Sequence, residues 1–407
     1  MKNPPEMVGV ELAEAPPELA SPDRAHKRLV LLSVGHFAID LYSAALGALQ
    51  PLLVARYGLS LFRAGILGGV LSFSSSVMQP VYGYLSDRMH SRVFTVLSPL
   101  VAGVFISSLG LATGFGWLLA LVFLGGVGVA AFHPQGTAHA STTLPQRRGL
   151  AMAIFITSGT FGLACGPAYF SWITEWLGLE RAYWAALPGL AITLLLAAML
   201  PAPPRTHHSG QRFDWTPFRP VWKPMLLLYL LVVIRSVVQI TFAQFLTLYF
   251  HLERGFSIRN ASYVLTLFLV GGALGGFAGG NLSDRFGGKR IAVFSMLGSA
   301  PFLALFLLTG GWVSLASLFV GGLILLFTIP VNVTMAQELV PSQAGTVSAL
   351  MMGFAWGMAG LVVIPLFGWS ADHLGLHRSL WGVVLLPLVG SVPAWMLPAD
   401  HPGRARR

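Results

Sequence analysis

Four ionisable side chains stand within stretches of sequence that are otherwise apolar, and they are the residues best suited to chemistry. They are His36, Asp40, His133 and Arg235. His36 and Asp40 are four residues apart, so on a helix they share one face. A carboxylate beside a histidine can take up and release a proton near neutral pH, whereas an arginine stays charged and binds anions. The sequence therefore predicts a proton site at Asp40, with His36 and His133 as tuning or relay groups.

The depths of these residues in their apolar runs support that prediction. An Asp or Arg inside a membrane span costs roughly 2.5–3.5 kcal/mol on insertion scales, so such residues are functional candidates by default. At about 1.5 Å of rise per residue, Asp40 and Arg235 lie about 16 Å from the ends of their helices, and the two histidines about 10 Å. A single buried histidine can equally be a hydrogen bond between helices. The matching heights predict a shared site, in which Arg235 contacts the substrate or pairs with Asp40.

The composition indicates a membrane protein. Of the 407 residues, 55% are hydrophobic and only 10% are charged, which leaves too little polar surface for a soluble protein of this size. The net charge of +10 does not indicate nucleic-acid binding, because Lys and Arg are scattered in short segments between apolar runs rather than gathered on one face. Cys165 is the only cysteine, so no internal disulfide can form.

Runs of roughly 18–25 mostly apolar residues predict twelve membrane-spanning helices. The first run is too long to be a cleavable signal. The predicted spans are residues 29–54, 62–84, 93–113, 116–139, 149–173, 183–201, 224–250, 258–281, 290–309, 312–337, 344–369 and 379–398. They predict an all-α membrane protein.

A polar stretch in the middle of the chain divides the spans six and six. The predicted domains are a disordered cytoplasmic tail (1–28), a first six-helix bundle (29–201), a cytoplasmic linker (202–223), a second six-helix bundle (224–398) and a cytoplasmic C-terminal tail (399–407). With both tails inside, eighteen Lys and Arg residues fall on the cytoplasmic side and six outside. Cytoplasmic segments of membrane proteins carry such an excess.

A short motif occurs twice at half-chain spacing. GYLSDR at residues 83–88 returns as GNLSDR at residues 280–285, which indicates a tandem duplication of six-helix units. The motif resembles the signature loop of the major facilitator superfamily between its second and third helices, although the first copy has His90 where a glycine is usual. That resemblance implies alternating access between the two halves, and it assigns Asp87 and Asp284 to closing the cytoplasmic side. The gate residues so implied are Gly83, Asp87, Arg88, Gly280, Asp284 and Arg285.

The fifth span contains SGTFGLACGP at residues 158–167. Its Gly159, Gly162, Gly166 and Pro167 look like the glycine-proline motif found on this helix in antiporters of the superfamily. Small residues on one face also permit close packing of helices, and proline bends a helix. The segment is therefore interpreted either as an antiporter motif or as packing alone.

Further segments narrow the resemblance to the fosmidomycin resistance protein family of bacterial drug exporters. They are HFAIDLY in the first span, AFHPQG at residues 131–136, IRS at 234–236 and AQELVPSQAGTVSAL at 336–350. The resemblance covers residues 29–398 and implies export of a small drug-like molecule, such as a phosphonate antibiotic, in exchange for protons. Gln135 stands where that family often has glutamate. If that glutamate carries protons, this chain must rely on Asp40 and the histidines.

Other polar side chains within the spans are predicted to form the substrate surface together with Arg235. They are Tyr42, Gln50, Gln135, Gln239, Gln244, Asn332, Gln337 and Glu338. Such side chains also join helices to one another. Glu338 is a candidate second protonation site, although its place near the membrane interface is equally typical of a solvated carboxylate.

The sequence carries none of the motifs expected of a membrane metalloprotease, a redox protein or an ATP-driven pump. We therefore predict neither enzymatic activity nor a cofactor. His133 and His139, six residues apart on a helix, lie on different faces, which argues against a shared metal ion.

The predicted function is proton-coupled antiport of a small molecule across the bacterial cytoplasmic (inner) membrane, by a monomer embedded in the lipid bilayer with no nucleic-acid partner. Two alternatives stay open. One is a symporter or uniporter for a small organic anion, which the fifth-span motif disfavours. The other is a receptor or scaffold with the same fold that transports nothing, and such a protein would have little reason to keep ionisable groups at mid-membrane depth.

Overall fold

The computed structural model describes residues 22–89, 91–201 and 215–398. Within these ranges the chain forms helices and short connections, and no β-strand is present. The helices make twelve stretches, labelled α1–α12 in chain order. Their bounds are α1 Arg24–Tyr57, α2 Leu61–Ser86, α3 Val93–Ser107, α4 Phe115–Thr143, α5 Leu150–Leu177, α6 Leu179–Met199, α7 Thr216–Leu252, α8 Ile258–Phe286, α9 Gly288–Leu308, α10 Gly311–Leu339, α11 Thr346–Leu374 and α12 Leu376–Met396.

Each of the twelve predicted spans coincides with one of these helices, and the predicted all-α membrane architecture is confirmed. By length and composition, eleven of the described helices can cross a membrane. The exception, α3, has 15 residues and is followed by a short 3-10 turn, Leu109–Leu111. That turn completes the predicted span 93–113.

The ends of the chain and the linker are described only in part. The first helical segment begins at Pro22, so the last residues of the predicted tail 1–28 are helical. Residues 1–21 of that tail, residues 202–214 of the predicted linker and the predicted tail 399–407 lie outside the described residues. The end of the linker forms a 3-10 helix, Thr216–Val221, that leads into α7.

The helices pack as two bundles with the same internal pattern. In the first bundle α3 packs on α4 and α6, while α1 packs on α4 and α5. In the second bundle α9 packs on α10 and α12, while α7 packs on α10 and α11. Each bundle has its own core of buried apolar side chains. A tandem duplication of six-helix units produces such a repeated arrangement.

The two bundles meet through α2 with α11, α5 with α8 and α1 with α7. We call the side on which α1 begins and α12 ends the tail side, and the opposite side the far side. A Cβ atom at Gly65 would lie 2.6 Å from the carbonyl oxygen of Ile364, and one at Gly368 would lie 2.2 Å from that of Leu61. Both glycines are in the far-side halves of α2 and α11. The two helices therefore approach backbone to backbone there, which only glycine permits.

Polar contacts also join the bundles on the far side. Asp372, near the end of α11, accepts hydrogen bonds from the backbone N–H groups of Leu61 at 2.8 Å and Phe62 at 2.9 Å, where α2 begins. Glu175 of α5 and Arg259 of α8 form an exposed ion pair at 2.9 Å. The first N–H groups of a helix have no partner within it, so a carboxylate at that position is stabilising. The bundles are thus joined on the far side.

The helices α2 and α11 each contain a π-helical segment, Phe73–Val77 and Ala349–Phe354. The two segments contact each other across the two bundles. They lie on the tail side of the close glycine contacts. Short π-helical segments are rare and occur frequently at functional sites, and here they distort both helices of the main inter-bundle contact at the same level.

Candidate functional site

The three ionisable groups predicted to act together are in contact. His36 and Asp40 share one face of α1, and Nε2 of His36 lies 3.4 Å from Oδ2 of Asp40. His133 comes from α4, and its Nε2 lies 3.5 Å from Oδ1 of the same carboxylate. The two imidazole rings meet edge to face, with centroids 5.1 Å apart. Each oxygen of Asp40 therefore has one imidazole nitrogen opposite it, and we call these three residues the His–Asp–His trio.

Backbone carbonyl groups fix the orientation of both imidazole rings. Nδ1 of His36 lies 2.8 Å from the carbonyl oxygen of Phe155, and Nδ1 of His133 lies 2.8 Å from that of Val129. A carbonyl oxygen only accepts hydrogen bonds, so each Nδ1 carries a proton and donates it. In a neutral ring Nε2 then has a lone pair, which faces a carboxylate oxygen of Asp40. Each N···O contact becomes attractive only when a further proton lies in it.

Aromatic rings cover one part of the trio and leave another part exposed. Phe155 stacks on His36 with ring centroids 4.2 Å apart, and Phe132 lies nearly parallel at 6.0 Å. The side chain of His36 is 8% exposed, compared with 16% for Asp40 and 22% for His133. Asp40 and His133 are therefore the members of the trio that solvent reaches best.

The net charge of the trio follows from its protons. With only the two Nδ1 protons, the three residues together carry one negative charge. One further proton makes the trio neutral, and a second gives it one positive charge. Burial penalises a net charge, so the neutral form with one shared proton is favoured. A proton can be gained or lost from that form at Nε2 or at the carboxylate.

The donor atoms of the trio also lie close enough together to contact one cation. The two histidines and Asp40 each offer one atom, and these atoms are within 4.8 Å of one another. Imidazole nitrogens and carboxylate oxygens are donors that divalent metal ions accept, but only when they are deprotonated. A cation and a proton lying in one of the N···O contacts would therefore exclude each other.

The glycine-proline motif of α5 packs directly on the trio. A Cβ atom at Gly159 would lie 2.4 Å from Cε1 of His36 and 2.6 Å from Oδ2 of Asp40. Any side chain at this position would collide with the two groups that face each other. Gly159 thus provides the space in which the first histidine and the carboxylate meet.

The other small residues of the motif bring the backbones of α1 and α5 together. A Cβ atom at Gly162 would lie 2.0 Å from the carbonyl oxygen of Phe37, and one at Gly166 would lie 2.4 Å from that of Leu41. Pro167 follows within the same helix. The motif therefore has two effects, because it fixes α5 against α1 and it leaves room for the trio.

Arg235, on α7, has no carboxylate partner among the described residues. Its Nη1 donates to Oε1 of Gln239 at 2.8 Å, and its guanidinium carbon lies 5.6 Å from the ring centroid of Trp356. The residue is 5% exposed, and its Nε has no hydrogen-bond partner in the described part of the chain. The two oxygens of Asp40 face the histidines, so the pairing between Asp40 and Arg235 that the sequence allowed is not formed.

A cavity lies between the two bundles beside Arg235. Both residues that contact Arg235, Gln239 and Trp356, line this cavity. Ser43 also lines it, and Ser43 is about one helical turn beyond Asp40 on α1. The lining residues are Ser43, Ala44, Leu71, Ser72, Ser75, Leu163, Gln239, Ile240, Ala243, Gln244, Leu265, Leu269 and Trp356. The cavity and the trio are thus neighbours along one face of α1.

Two residues predicted for the substrate surface lie inside the first bundle instead. Tyr42 is fully buried, and its hydroxyl donates to the carbonyl oxygen of Ala185 at 2.9 Å and accepts from the N–H of Gly189 at 2.8 Å. Gln50 is also fully buried and donates to the carbonyl oxygen of Ala64 at 3.0 Å. These contacts join helices within one bundle, which is the other role that polar side chains have in membrane helices.

The predicted substrate residues of α10 have different surroundings. Asn332 is 1% exposed, and neither its amide oxygen nor its amide nitrogen has a hydrogen-bond partner among the described residues. Gln337 donates to the hydroxyl of Ser348 at 2.7 Å and so joins α10 to α11. Glu338 is exposed. Asn332 is therefore the one of these three whose polar atoms are buried and unused.

Gln135, predicted for the substrate cavity, lies in the first bundle and contacts the start of α3. Its Nε2 donates to the hydroxyl of Ser86 at 2.8 Å and to the carbonyl oxygen of Ser91 at 2.6 Å. Its Oε1 accepts from the N–H and the hydroxyl of Thr95 at 3.1 and 2.5 Å. These bonds occupy both ends of the amide, which explains why it lies here rather than in the cavity.

The two copies of the duplicated motif form the last turns of helices rather than loops. Residues 83–88 belong to the helix Gln79–Met89 that ends the second span, and residues 280–285 belong to α8. A Cβ atom at Gly83 would lie 3.5 Å from Pro134 of α4, and one at Gly280 would lie 3.8 Å from Pro330 of α10. The two copies therefore have equivalent surroundings in the two bundles.

Three charged side chains of the two motif copies, those of Arg88, Asp284 and Arg285, lie at the tail-side surface. The guanidinium of Arg88 lies over the ring of Tyr84 at 4.7 Å, and that of Arg285 over the ring of Phe286 at 5.2 Å. Asp284 is exposed. The side chain of Asp87 and the residue His90 lie outside the described part of the structure.

The sequence did not predict three features of the structure, namely the π-helical segment of α2, the contact of Trp356 with Arg235 and the contact of Asp372 with α2. The serines of the π-helical segment Phe73–Val77 were a signal, because three consecutive serines interrupt an apolar run, and Ser75 lines the cavity. Trp356 gave no such signal, since an aromatic residue in an apolar span is ordinary. Asp372 lies three residues beyond the predicted span 344–369, where a carboxylate is usually solvated.

Comparison with known proteins agrees with this architecture. The sequence model described as Major Facilitator Superfamily matches residues 32–362. The MFS-type transporter YfnC of Bacillus subtilis is 31% identical over 385 residues, which cover 92% of this chain and 93% of that protein. The fosmidomycin resistance protein of Escherichia coli is 30% identical over 384 residues, which cover 91% of this chain and 92% of that protein.

A solved structure shows the same fold. It is the crystal structure of a bacterial homologue of the human lysosomal transporter Spinster, in an inward-facing and occupied conformation. The TM-score is 0.79 at 16% sequence identity, and the match covers 93% of this chain and 97% of that one. At this identity the likeness concerns the fold alone.

Proposed function

The chain belongs to the Major Facilitator Superfamily and is an integral membrane transporter, and from this premise we propose that it exports a small drug-like molecule in exchange for protons. The observation that carries the proposal is the His–Asp–His trio. Both Nδ1 atoms donate to backbone carbonyls, so Nε2 and the carboxylate are the atoms left to exchange protons. Helix packing alone does not require three titratable side chains in contact at mid-membrane depth, where ionisable groups are costly.

Asp40 is the proton carrier in this mechanism. It is the member that contacts both histidines, so a proton on either Nε2 can pass to the carboxylate over one hydrogen bond. His133 is the more exposed histidine and receives protons from solvent, while His36 is held under the aromatic rings and tunes the site. Alternating access then presents the same trio to each side of the membrane in turn.

The substrate binds in the cavity between the bundles, with an anionic group on Arg235. That residue is buried, always charged and without a carboxylate partner in the described structure. Gln239, Gln244 and Asn332 supply further polar contacts, and Trp356 supplies an aromatic surface. The fosmidomycin resistance relative supports a phosphonate antibiotic as the substrate, and the glycine-proline motif beside the trio supports exchange rather than co-transport.

A symporter or uniporter for a small organic anion is the second candidate. Arg235 favours it equally, because a buried cation with no carboxylate partner among the described residues binds an anion whichever way the anion travels. The two functions differ in whether proton flow and substrate flow run in opposite directions.

The deciding experiment uses the full chain in proteoliposomes with radiolabelled fosmidomycin. We expect a pH gradient to drive the label toward the more acidic compartment, and reversal of the gradient to reverse the flux. Label that follows the protons identifies a symporter, and flux that ignores the gradient overturns proton coupling. The replacement Asp40→Asn should reduce gradient-driven flux at least about a hundredfold, as removal of a positioned proton-transfer group does, while exchange of label without a gradient continues.

We further propose that the transporter is a monomer in the bacterial cytoplasmic membrane with both termini inside the cell. The excess of Lys and Arg in the segments on the tail side supports this orientation. A fluorescent protein that matures only in the cytoplasm, fused to the C-terminus, should fluoresce in intact cells. A dark fusion that is nevertheless present in the membrane contradicts the orientation.

A further inference from the structure

We propose that Gln135 is a positioning residue that holds the first copy of the duplicated motif, residues 83–88, against the helix that carries His133. Nothing in the family comparison assigns it such a role, and the sequence had suggested the substrate cavity. The inference rests on the proposed function in one respect: it takes the motif to be the tail-side gate. Gln135 contacts the motif and lies on α4, the helix that also carries His133 of the trio.

The hydrogen bonds of Gln135 bridge three consecutive parts of the chain. It donates to Ser86 within the motif and to the carbonyl oxygen of Ser91 in the connection, and it accepts two bonds from Thr95 in α3. The residue itself is 6% exposed. One buried side chain on α4 thus contacts the chain on both sides of Asp87 and Arg88, at Ser86 before them and at Ser91 and Thr95 after them.

These contacts require an amide rather than a carboxylate. The nitrogen of Gln135 donates two hydrogen bonds and its oxygen accepts two, which is all that an amide can do at these atoms. A carboxylate could accept from Thr95, but it would place a second oxygen against the carbonyl oxygen of Ser91, which only accepts. Buried acceptors facing each other are strongly unfavourable. Glutamine is therefore the residue that matches the donors and acceptors around this position.

The neighbours of Gln135 on α4 connect it to the trio. His133 precedes it by two residues, and two residues on a helix point about 200° apart. His133 therefore faces Asp40 on one side of α4 while Gln135 faces the motif on the other. Pro134 between them lies beside Gly83, the first residue of the motif, since a Cβ atom at Gly83 would be 3.5 Å from it. Residues 133–135 form one rigid helical segment that touches both sites, so movement of this segment acts on the gate and on the trio together.

The second bundle lacks this amide. There Pro330 lies beside Gly280, as Pro134 lies beside Gly83, and the next residue is Val331, which is 1% exposed. An apolar side chain thus occupies the place that Gln135 has in the first bundle. This difference between the bundles indicates that the hydrogen-bonded contact is specific to the bundle with the trio. Val331 is the matched control position.

The test measures the gate and the transport separately. In a background with Cys165→Ser, a cysteine at the exposed Met89 reports the position of the motif by its rate of reaction with a maleimide. We expect Gln135→Met, which keeps the size and removes all four bonds, to raise that rate several-fold and to slow coupled transport at least about tenfold, the cost of roughly one net buried hydrogen bond or more. Val331→Ala should leave the labelling rate at Met89 unchanged.

Gln135→Glu adds a readout that a packing role alone does not predict. A protonated glutamate can donate one of the lost bonds, whereas its carboxylate form can donate none, and the contacts Ser86, Ser91 and Thr95 do not titrate. The variant should therefore transport near the wild-type rate at low pH and lose activity as the pH rises, with the labelling rate at Met89 rising over the same pH range.

The outcomes separate this inference from the proposed function. An unchanged labelling rate in Gln135→Met, in protein that elutes as a folded monomer, overturns the positioning role even if transport is slower. A pH profile of Gln135→Glu that parallels the wild type overturns it as well. If the wild type shows no proton-coupled flux but Gln135→Met still raises the labelling rate, the proposed function fails and the positioning role stands.

Discussion

At the scale of single residues, the proposed proton site depends on hydrogen bonds to backbone groups outside the His–Asp–His trio. The two Nδ1 bonds to Phe155 and Val129 decide which nitrogen of each histidine meets Asp40. A buried histidine without such a bond could rotate or change tautomer, and the same three residues would then form a polar cluster with no defined proton path. In the proposed mechanism, protonation at a defined atom allows the trio to take up and release a proton in each transport cycle.

Arg235 gives the sharpest prediction at this scale. Replacement by leucine removes the buried cation, so the Kd for an anionic substrate should rise at least about tenfold, as expected when a charge-assisted hydrogen bond is lost. Replacement by lysine should restore part of the affinity, because a positive charge remains without the planar group. Substrate binding to purified protein by calorimetry measures both variants.

An uncharged substrate analogue is the control for Arg235. Its affinity should not change in Arg235→Leu if the guanidinium recognises an anionic group. Equal weakening for the charged and uncharged compounds would show that the residue supports the fold of the cavity instead, through Gln239 and Trp356.

The sequence predicted part of this site because depth in a membrane can be counted along a helix. The rise per residue placed His133 at the level of His36, and the two meet on Asp40. Arg235 lies at a comparable depth, yet it bonds to Gln239 rather than Asp40. Depth fixes height but not the direction in which a side chain points, and that direction depends on how α7 is rotated against α1. Tyr42 differs from its prediction for the same reason.

At the scale of elements, the glycine-proline motif of α5 both packs against the backbone of α1 and leaves room for the His–Asp–His trio. Gly159 faces the trio, whereas Gly162 faces the backbone of α1 at Phe37. The first contact is with the ends of two side chains, which can move aside, and the second is with a carbonyl group, which cannot. The two glycines should therefore respond differently to the same substitution.

Gly159→Ala should fold and should lose coupling. The added methyl group displaces the His36 ring or the Asp40 carboxylate, so we expect gradient-driven flux to fall at least about tenfold while the melting temperature changes by only a few degrees, because the displaced groups are side-chain ends. Gly162→Ala should instead lower the melting temperature clearly, since its methyl group forces the helices apart. Flux and thermal unfolding of the two purified variants give the comparison.

Gly276→Ala is the matched control for these glycine variants. A Cβ atom there would meet nothing within 4 Å, and alanine favours a helix over glycine by up to about 1 kcal/mol. Its flux and stability should equal or exceed those of the wild type. Gly159→Ala with wild-type coupling would mean that the trio tolerates a shift of its members.

The sequence predicted the helices well and their internal irregularities poorly. Long apolar runs bounded by polar residues specified twelve spans, because a chain that crosses a bilayer must satisfy its own backbone hydrogen bonds and a helix does so within each run. The π-helical segments of α2 and α11 lie inside such runs and have no signature of their own, because an inserted residue in a helical turn is stabilised by contacts with other helices. The contact between the two segments is a property of the assembled bundles.

At the scale of the whole molecule, α2 is contacted at its two ends by different parts of the protein, and Asp372 of α11 contacts its start on the far side. The helix Gln79–Met89, which continues α2, carries the first copy of the duplicated motif on the tail side, and the last turn of α11 carries Asp372 on the far side. Asp372 accepts hydrogen bonds from the first two N–H groups of α2. The next N–H group, that of Arg63, donates to the hydroxyl of Ser60. A carboxylate from one bundle thus completes the helix start of the other. Opening of the far side must break this contact.

The far-side contact of Asp372 leads to a prediction about the balance between closed and open forms. An interaction at the start of a helix contributes about 0.5–2 kcal/mol, so Asp372→Ala should reduce the ratio of closed to open molecules about two- to thirtyfold. Spin labels on cysteines at the exposed Arg181 and Arg378, in a Cys165→Ser background, report the distance between the far-side ends of the two bundles. The variant should show more of the longer distances.

Glu253→Ala is the control for Asp372→Ala, because it removes the same kind of contact within a single bundle. Glu253, at the end of α7, accepts from the N–H groups of Leu376 at 2.6 Å and His377 at 2.8 Å, where α12 begins. Its loss should leave the distance between the spin labels unchanged, since no bond between bundles is broken. Equal lengthening in both variants would mean that the far side responds to general loosening of helix ends, and unchanged distances in Asp372→Ala would mean that the glycine contacts of α2 and α11 alone hold the far side closed.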